Sequence, residues 1–279
     1  MPQAKATTPF VFSHANSFCA GTYRVLLQAL NARGFTAHAI EQFGHDAHYP
    51  VTNNWPHLVQ QLTDFTQAQV AKTGAPLFLV GHSLGGFLSV MVASQASHLV
   101  RGVVLLDAPI IGGWRATALG LAKRTQVVGS LSPGKVSRKR RNQWLDAQAA
   151  MAYFQSKRAF AKWDTAVLAD YIAHGTHDAS VNGKTQRVLS FDRDIETAIY
   201  NTLPSNLDDL MKQHPVKCPV AFIGGTRSSE MRQVGMALTQ RITQGRIMMV
   251  DGSHLFPMEN PLVSAAAIET ALLNLQSLV

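Results

Sequence analysis

Short apolar runs alternate along the chain with longer segments in which apolar residues recur every three or four positions. The runs of strand length are residues 9–13, 35–41, 77–80, 100–106, 219–223 and 246–250. The longer amphipathic segments predict helices at residues 22–33, from residue 56 onward, after residue 83, and at residues 261–275. Strands that alternate with helices predict an α/β fold, in which a mostly parallel sheet is covered by helices on both faces.

One long segment, residues 108–217, interrupts this alternation between the fourth and fifth predicted strands. Helical patterning within it covers residues 115–125, 143–157, 163–174 and 194–212. A connection of this length is not an ordinary loop. We therefore predict a core formed by residues 1–107 and 218–279, into which residues 108–217 are inserted as a helical cap (the cap).

Positive charge is concentrated in part of the cap. The whole chain has a formal net charge of +8. Residues 112–160 contain ten basic residues against one acid, Asp146, so this segment carries +9 and the rest of the chain −1. Such a segment is either a solvated face or a surface that weakly attracts anionic substrates, carriers or lipid headgroups.

The composition narrows the class of protein. Hydrophobic residues make up 46% of the chain and charged residues 15%, which is typical of a globular protein with a large buried sheet. No apolar run approaches the roughly 18 residues of a membrane-spanning helix. The residues before the first strand leave no room for a signal peptide. Cys19 and Cys218 are far apart, which predicts free thiols and a reducing, cytoplasmic location.

The most informative motif is Gly81-His82-Ser83-Leu84-Gly85, which fits the pattern G-x-S-x-G. An apolar strand leads into it and an apolar helix leaves it, which is the setting that a nucleophile elbow requires. The two glycines permit a tight turn there. Such a turn would present the Ser83 hydroxyl at a helix N-terminus, where free N–H groups favour negative charge. The motif therefore predicts Ser83 as a nucleophile.

Two further features suit acyl transfer. His254 follows the last predicted strand, where it could act as the base that a serine nucleophile needs. Residues 13–16 follow the first strand, where a second backbone N–H donor for an oxyanion hole is expected beside that of Leu84. We predict that Asn16 supplies this second donor, with Ala15 as the alternative.

These motifs resemble those of the α/β-hydrolase superfamily. The resemblance rests on Gly81–Gly86, on His14-Ala15-Asn16 and on Gly252-Ser253-His254, and the order of elements extends it over nearly the whole chain. It implies a Ser–acid–His triad, with neither a metal nor an organic cofactor, in an esterase, lipase, thioesterase, or C–C or C–N hydrolase. The chain departs from the family in two ways: its first strand corresponds to the third strand of the family, and it has His-Ala-Asn where His-Gly is commoner.

The acid of the triad has several candidates. The family usually places an Asp shortly after the fifth predicted strand, but Ser228 occupies that position, as the apparent N-cap of a helix. Glu230 lies two residues further on. Asp107 ends the fourth strand, which resembles the arrangement in haloalkane dehalogenases and some lipases. We predict Asp107 as the acid, with Glu230 as the main alternative and Asp251 as a weaker one.

The sequence thus predicts a serine esterase or lipase-like enzyme that acts on a small ester with an apolar acyl group. The alternatives are C–C bond hydrolysis or acyl transfer by the same triad, and a non-enzymatic module that binds a ligand on the same fold. The sequence leaves the oligomeric state open. Aromatic residues of the cap are predicted to line the acyl pocket: Trp114, Trp144, Phe154 and Trp163.

Three other patterns carry less weight. Residues 129–136 nearly match a phosphate-binding loop but lack the Ser or Thr that would bind Mg²⁺. The histidines at positions 45 and 48, and at 174 and 177, lack the full ligand set of a zinc site and lie in sequence that looks like loop. The basic run 137–141 lacks an aromatic stacking platform. We therefore predict no nucleotide, metal or nucleic acid as a partner.

Overall fold

The structure, a computed structural model, describes residues 7–110 and 134–279. Its strands are β1 (Thr8–Ser13), β2 (Phe35–Ala39), β3 (Leu77–His82), β4 (Val100–Leu106), β5 (Gln143–Trp144), β6 (Thr176–Val181), β7 (Lys184–Leu189), β8 (Val220–Gly225) and β9 (Ile247–Val250). Its helices are α1 (Arg24–Ala32), α2 (Pro56–Thr73), α3 (Leu84–Gln95), α4 (Gly134–Lys139), α5 (Ala147–Gln155), α6 (Thr165–Gly175), α7 (Arg193–Asn201), α8 (Leu207–Gln213), α9 (Ser229–Val234), α10 (Ala237–Thr243), α11 (Phe256–Glu259) and α12 (Pro261–Gln276). Short 3₁₀ turns at Ala20–Tyr23 and Ser97–Leu99 precede α1 and β4.

Six strands form one sheet in the order β2-β1-β3-β4-β8-β9, and every neighbouring pair is parallel. The predicted α/β architecture is therefore confirmed. Because all six strands run the same way, their carboxyl ends lie at one edge of the sheet. The loops after β1, β3, β4, β8 and β9 meet at that edge, which is where ligand sites form in open α/β sheets.

Alternating side chains of the strands pack on opposite faces of the sheet. Phe10 and Phe12 of β1 belong to one hydrophobic core, while Val11 between them belongs to the other. Helices α1 and α12 cover the first face, and α2 and α3 cover the second. Strands that are buried on both faces explain why the sequence shows continuous apolar runs rather than strict alternation.

The part of the cap that the structure describes contains helices α4 to α8 and also a small sheet that the sequence analysis did not predict. Of these helices, α4 lies where no helix was predicted. This sheet is antiparallel and has the order β5-β7-β6. The histidines at 174 and 177, expected in a loop, lie at the end of α6 and in β6. A two-residue turn with positive φ at Asn182 and Gly183 joins β6 to β7, which is a hairpin geometry that Asn-Gly favours.

Two predicted cap helices have different limits from those expected. Residues 194–212 form two helices, α7 and α8, separated by a segment that contains Pro204, which cannot donate a helical N–H. Residues 143–144 belong to β5, so the helix predicted from residue 143 begins at Ala147, where Asp146 accepts a hydrogen bond from the N–H of Ala149.

Some sequence predictions fall on residues 111–133, outside the described residues. These are Trp114, the helix at 115–125 and most of the sequence that resembles a phosphate-binding loop. Across residues 7–110 and 134–279, none of the helices combines the length and the apolar character needed to cross a bilayer.

Candidate active site

Ser83 lies at the turn between β3 and α3, with φ 51° and ψ −114°. A residue with a Cβ rarely adopts positive φ, so this backbone is strained and must be held by its surroundings. The Ser83 N–H donates to the carbonyl of Leu106 at 2.9 Å, and its carbonyl accepts N–H groups from the first turn of α3. These bonds fix the serine at the carboxyl edge of the sheet, beside the end of β4.

Two glycines allow the tight turn at Ser83. A Cβ on Gly81 would lie 2.2 Å from the carbonyl oxygen of Gly85, and a Cβ on Gly85 would lie 2.1 Å from the carbonyl oxygen of Ser13. Both contacts are with backbone atoms, which cannot rotate away. The pattern G-x-S-x-G is therefore required here by close backbone approach between the turn, α3 and the loop after β1.

His254 and Asp107 are paired at the same edge. The Nδ1 of His254, on the loop after β9, lies 3.1 Å from the Oδ1 of Asp107, at the end of β4. A carboxylate only accepts hydrogen bonds, so the histidine carries its proton on Nδ1 and leaves Nε2 free to accept another. Asp107 is itself at a positive φ of 41°, a second strained residue at this edge.

The carboxylate of Asp107 is fully buried and has three donors around it. The N–H of Gly225 donates to Oδ2 at 2.7 Å, and the hydroxyl of Ser228 donates to Oδ1 at 2.6 Å, beside the histidine. Burial by itself raises the pKa of Asp107, but the hydrogen bond and charge of His254, with the bonds from Ser228 and Gly225, outweigh it. The net pKa lies below the usual value, so the acid stays ionised.

The other acid candidates are less well placed. The carboxylate of Glu230 is 3.9 Å from the Nδ1 of His254, its side chain is 41% exposed, and it accepts the hydroxyl of Ser229 at 2.9 Å. Asp251 is 77% exposed and pairs with Arg227. Ser228 is the N-cap of α9, as predicted, and its hydroxyl also reaches Glu230 at 3.3 Å.

The side chains of Asp107, Glu230 and His254 each place one potential metal-ligand atom within 4.8 Å of the others. A metal ion there would have to displace the proton on the Nδ1 of His254. It would also compete with the donors that already occupy both oxygens of Asp107. The geometry therefore suits the orientation of a histidine better than the binding of a cation.

Among residues 7–110 and 134–279, no acceptor is found for the backbone N–H of Leu84, the first residue of α3, or for that of Asn16, in the loop after β1. The N–H of Ala15 instead donates to the hydroxyl of Tyr23 at 3.1 Å. Of the two candidates for the second oxyanion donor, the structure thus leaves Asn16 available and engages Ala15.

A hydrogen-bonded relay connects this loop to His254 through His82. The hydroxyl of Tyr23 lies 2.7 Å from the Nδ1 of His82, and the Nε2 of His82 lies 2.9 Å from the backbone carbonyl of His254. A carbonyl can only accept, so Nε2 carries the proton. Burial, followed by the imidazole of His254, lowers the pKa of His82 to about 3, so it is neutral and accepts the Tyr23 proton on Nδ1.

His14 holds the other side of the loop after β1. Its Nδ1 donates to the carbonyl of Ala15 at 2.8 Å, and its Nε2 accepts the N–H of Phe43 at 3.1 Å. Burial lowers the pKa of His14 to about 4, with a smaller contribution from His45, so this ring is also neutral. His14 and His82 are therefore neutral hydrogen-bonding residues that support the candidate oxyanion hole on two sides.

The cap contacts this loop directly through Glu196 of α7. The backbone carbonyl of Glu196 accepts the side-chain N–H of Asn16 at 3.1 Å, and its carboxylate accepts the hydroxyl of Ser17 at 2.5 Å. Arg140 pairs with the same carboxylate at 3.2 Å. The position of α7 therefore affects the position of Asn16, whose backbone N–H is the candidate second oxyanion donor.

The described aromatic residues of the predicted pocket lie together in the cap. Trp144, Phe154 and Trp163 are all buried. Phe154 contacts Trp144 at 5.1 Å between ring centroids, and Phe160 joins it to Trp163. Trp163 also contacts Phe18, two residues beyond Asn16, at 5.6 Å. The aromatic layer therefore extends to the loop after β1, and its role as an acyl pocket stays a prediction.

Sequence reasoning missed the supporting residues of the site. His82 lies inside the recognised motif, but nothing in the sequence indicates that Tyr23, 59 positions away, bonds its ring. Glu196 resembles any acid in the first turn of a helix, and only its burial in the structure marks it. Ser228 was recognised as an N-cap and not as a donor to Asp107.

The model of the Alpha/beta hydrolase family matches residues 10–267. The chain belongs to this family. A curated relative, a serine hydrolase-like protein of Dictyostelium discoideum, is 24% identical over 260 residues, which are 86% of this chain and 68% of the relative.

Solved structures show the same fold. E-2-(acetamidomethylene)succinate hydrolase is 21% identical with a TM-score of 0.69, over 95% of this chain and 91% of that one. An esterase of M. tuberculosis is 20% identical with a TM-score of 0.67, over 96% of this chain and 86% of that one. At these identities the likeness shows the fold alone.

Proposed function

We propose that this α/β hydrolase cleaves carboxylic esters through an acyl-enzyme formed on Ser83. The observation that carries the proposal is the 3.1 Å hydrogen bond that orients the ring of His254 through the buried carboxylate of Asp107. Ser83, held in a strained turn, lies at the same edge of the sheet. The combination supports nucleophilic catalysis, because serine needs a base that is itself oriented by a third group.

In the proposed mechanism, the Nε2 of His254 takes the proton of the Ser83 hydroxyl as Oγ attacks the ester carbonyl. The C=O bond becomes a C–O⁻ bond, and the N–H groups of Leu84 and Asn16 stabilise this oxyanion. The intermediate collapses, the alkoxide leaves with the proton from His254, and the acyl group remains on Ser83. Water then repeats the cycle: His254 takes its proton, and the acid product departs as Ser83 recovers a proton.

Asp107 is proposed as the acid because it accepts the Nδ1 proton of His254 and stabilises the imidazolium that forms in each half of the cycle. We propose an apolar acyl group for the substrate, because the aromatic layer of the cap contacts Phe18 in the loop after β1. A solved relative is named as an esterase, which supports an ester as the substrate class.

A panel of p-nitrophenyl esters with acyl chains of increasing length tests the proposal. We expect the wild-type protein to hydrolyse these esters with a kcat/KM that rises with acyl length. Ser83→Ala should lower kcat by a factor on the order of 10⁶. Hydrolysis of every ester at the rate of Ser83→Ala would contradict ester hydrolysis, and a C–C bond substrate or a bound ligand would then have to be sought.

A further inference from the structure

Between residues 134 and 162 the cap presents exposed cations that have no acidic partners among the described residues. Between residues 134 and 162 the one acid is Asp146, and it caps α5 by accepting the N–H of Ala149 at 2.7 Å. None of the exposed cations in this stretch forms an ion pair with a described residue. They are Arg138, Lys139, Arg141, Lys157, Arg158 and Lys162.

Two of these cations are fixed over one aromatic ring. The guanidinium of Arg141 lies 5.4 Å from the centroid of the Tyr153 ring and 6.0 Å from that of Trp144, and its Nε donates to the carbonyl of Gln143 at 2.8 Å. The ammonium of Lys157 lies 4.3 Å from the Tyr153 centroid. Positive charge is thus held at a defined place on the cap rather than spread over mobile side chains.

An exposed apolar side chain lies in the segment between Arg141 and Tyr153. Leu145 directly follows Trp144 and is 77% exposed, the highest exposure among the large hydrophobic side chains described. We call Arg141, Leu145, Tyr153 and Lys157 together the Tyr153 face. A face with cations, an aromatic ring and an exposed leucine has the composition of surfaces that rest at the membrane interface. Phosphate groups of a nucleic acid would match the cations but would leave Leu145 in water.

We propose that the Tyr153 face docks this protein on the surface of an anionic phospholipid bilayer. Arg141 and Lys157 would meet the lipid phosphates, while Leu145 would enter the boundary between headgroups and acyl chains. The other exposed cap cations would add attraction over a Debye length, about 8 Å at physiological salt. The inference goes beyond the proposed ester hydrolysis and does not depend on it, because docking requires no catalysis.

Co-sedimentation with phospholipid vesicles tests the proposal. The protein used, residues 1–279, carries Ser83→Ala, so that turnover cannot alter the lipid. We expect partitioning onto vesicles of phosphatidylcholine with about one third phosphatidylglycerol, no detectable partitioning onto pure phosphatidylcholine, and release in 1 M NaCl.

Matched variants locate the docking surface. Arg141→Gln with Lys157→Gln should weaken partitioning about 25-fold, since each cation near such a surface contributes about fivefold. Lys72→Gln with Lys217→Gln removes the same charge from exposed positions outside the basic stretch and should leave partitioning within about twofold. Thermal melts would verify that both pairs fold.

The apolar contact has its own pair of variants. Leu145→Ser should weaken partitioning about tenfold without changing its salt dependence, and Leu262→Ser, which alters an exposed leucine of α12, should not. Absence of binding to anionic vesicles would overturn the proposal, as would an equal loss in the control pair. Binding to an acidic polypeptide such as polyglutamate with no binding to vesicles would also overturn it, in favour of a protein partner.

Discussion

Replacing Asp107 with Asn should cripple the enzyme, whereas replacing Glu230 with Gln should not. The carboxylate of Asp107 accepts from the N–H of Gly225 on one oxygen, and from Ser228 and His254 on the other. An amide in its place has one accepting end only. Its NH₂ group must therefore face a donor, whichever way the side chain is turned.

The two orientations of that amide have different consequences. If NH₂ faces Gly225, a buried backbone N–H is left without an acceptor, which costs about 1–3 kcal/mol. If NH₂ faces His254, the ring can adapt by moving its proton from Nδ1 to Nε2. A backbone N–H cannot adapt in this way, so the second orientation should prevail. His254 then cannot accept the proton of Ser83.

The expected loss is on the order of 10⁴ in kcat, equivalent to about 5.5 kcal/mol of transition-state stabilisation. For Glu230→Gln we expect a kcat within about tenfold of the wild type, because this carboxylate is 41% exposed and 3.9 Å from the ring. Steady-state hydrolysis of a short-chain ester measures both values, with thermal melts as the folding control. A crippled Glu230→Gln beside a nearly normal Asp107→Asn would refute the assignment.

Three further predictions concern the support of the site. Tyr23→Phe removes the acceptor of the buried Ala15 N–H and should lower kcat about tenfold with KM within twofold. Tyr49→Phe, which loses a hydroxyl bonded to Asp64, should leave kcat unchanged. Equal losses of kcat in the two variants would contradict a role of Tyr23 in the relay. The pKa values of His14 and His82 in the native protein are lowered to about 4 and about 3. As the pH falls below about 6.5, both rings become protonated in the unfolded chain but stay neutral in the native protein. Urea unfolding should therefore show that each ring lowers the free energy of unfolding by about 1.4 kcal/mol per pH unit between pH 6 and 4.5. His82→Gln should remove the contribution of one ring. If the free energy of unfolding of this variant depends on pH as steeply as that of the wild type, His82 is not a buried neutral ring. Gly85→Ala should yield protein that is unfolded or inactive, since its Cβ would lie 2.1 Å from a backbone oxygen, and a stable, active variant would show that the turn is looser than described.

Much of the core fold could be predicted from the sequence, because each buried parallel strand leaves a continuous apolar run. The turn at Ser83 could also be predicted from the sequence, because the close backbone approach there requires glycine at both position 81 and position 85. The small sheet of the cap was missed although Asn182-Gly183 is a hairpin signal. Its strands contain many polar residues, such as His177 and Asp178, and lack the apolar alternation that would have marked them.

The residues of the candidate site that follow directly after a strand could be predicted from the sequence. Ser83, Asp107 and His254 each follow a strand of the parallel sheet, so the topology brings them to one edge. The contacts that support them depend on tertiary approach between distant segments. The bond of Tyr23 to His82 and that of Ser17 to Glu196 belong to this class, and single-sequence patterns carry no information about such pairs.

The central claim is that Ser83 is a nucleophile activated by the oriented ring of His254. Reaction with a fluorophosphonate probe, followed by intact-mass measurement and peptide mapping, tests it most directly. The account predicts one adduct per chain, located on Ser83, that is absent from Ser83→Ala and at least a hundredfold slower to form in His254→Ala. A wild-type protein that stays unlabelled, or a Ser83→Ala protein that is labelled as fast as the wild type, would contradict it.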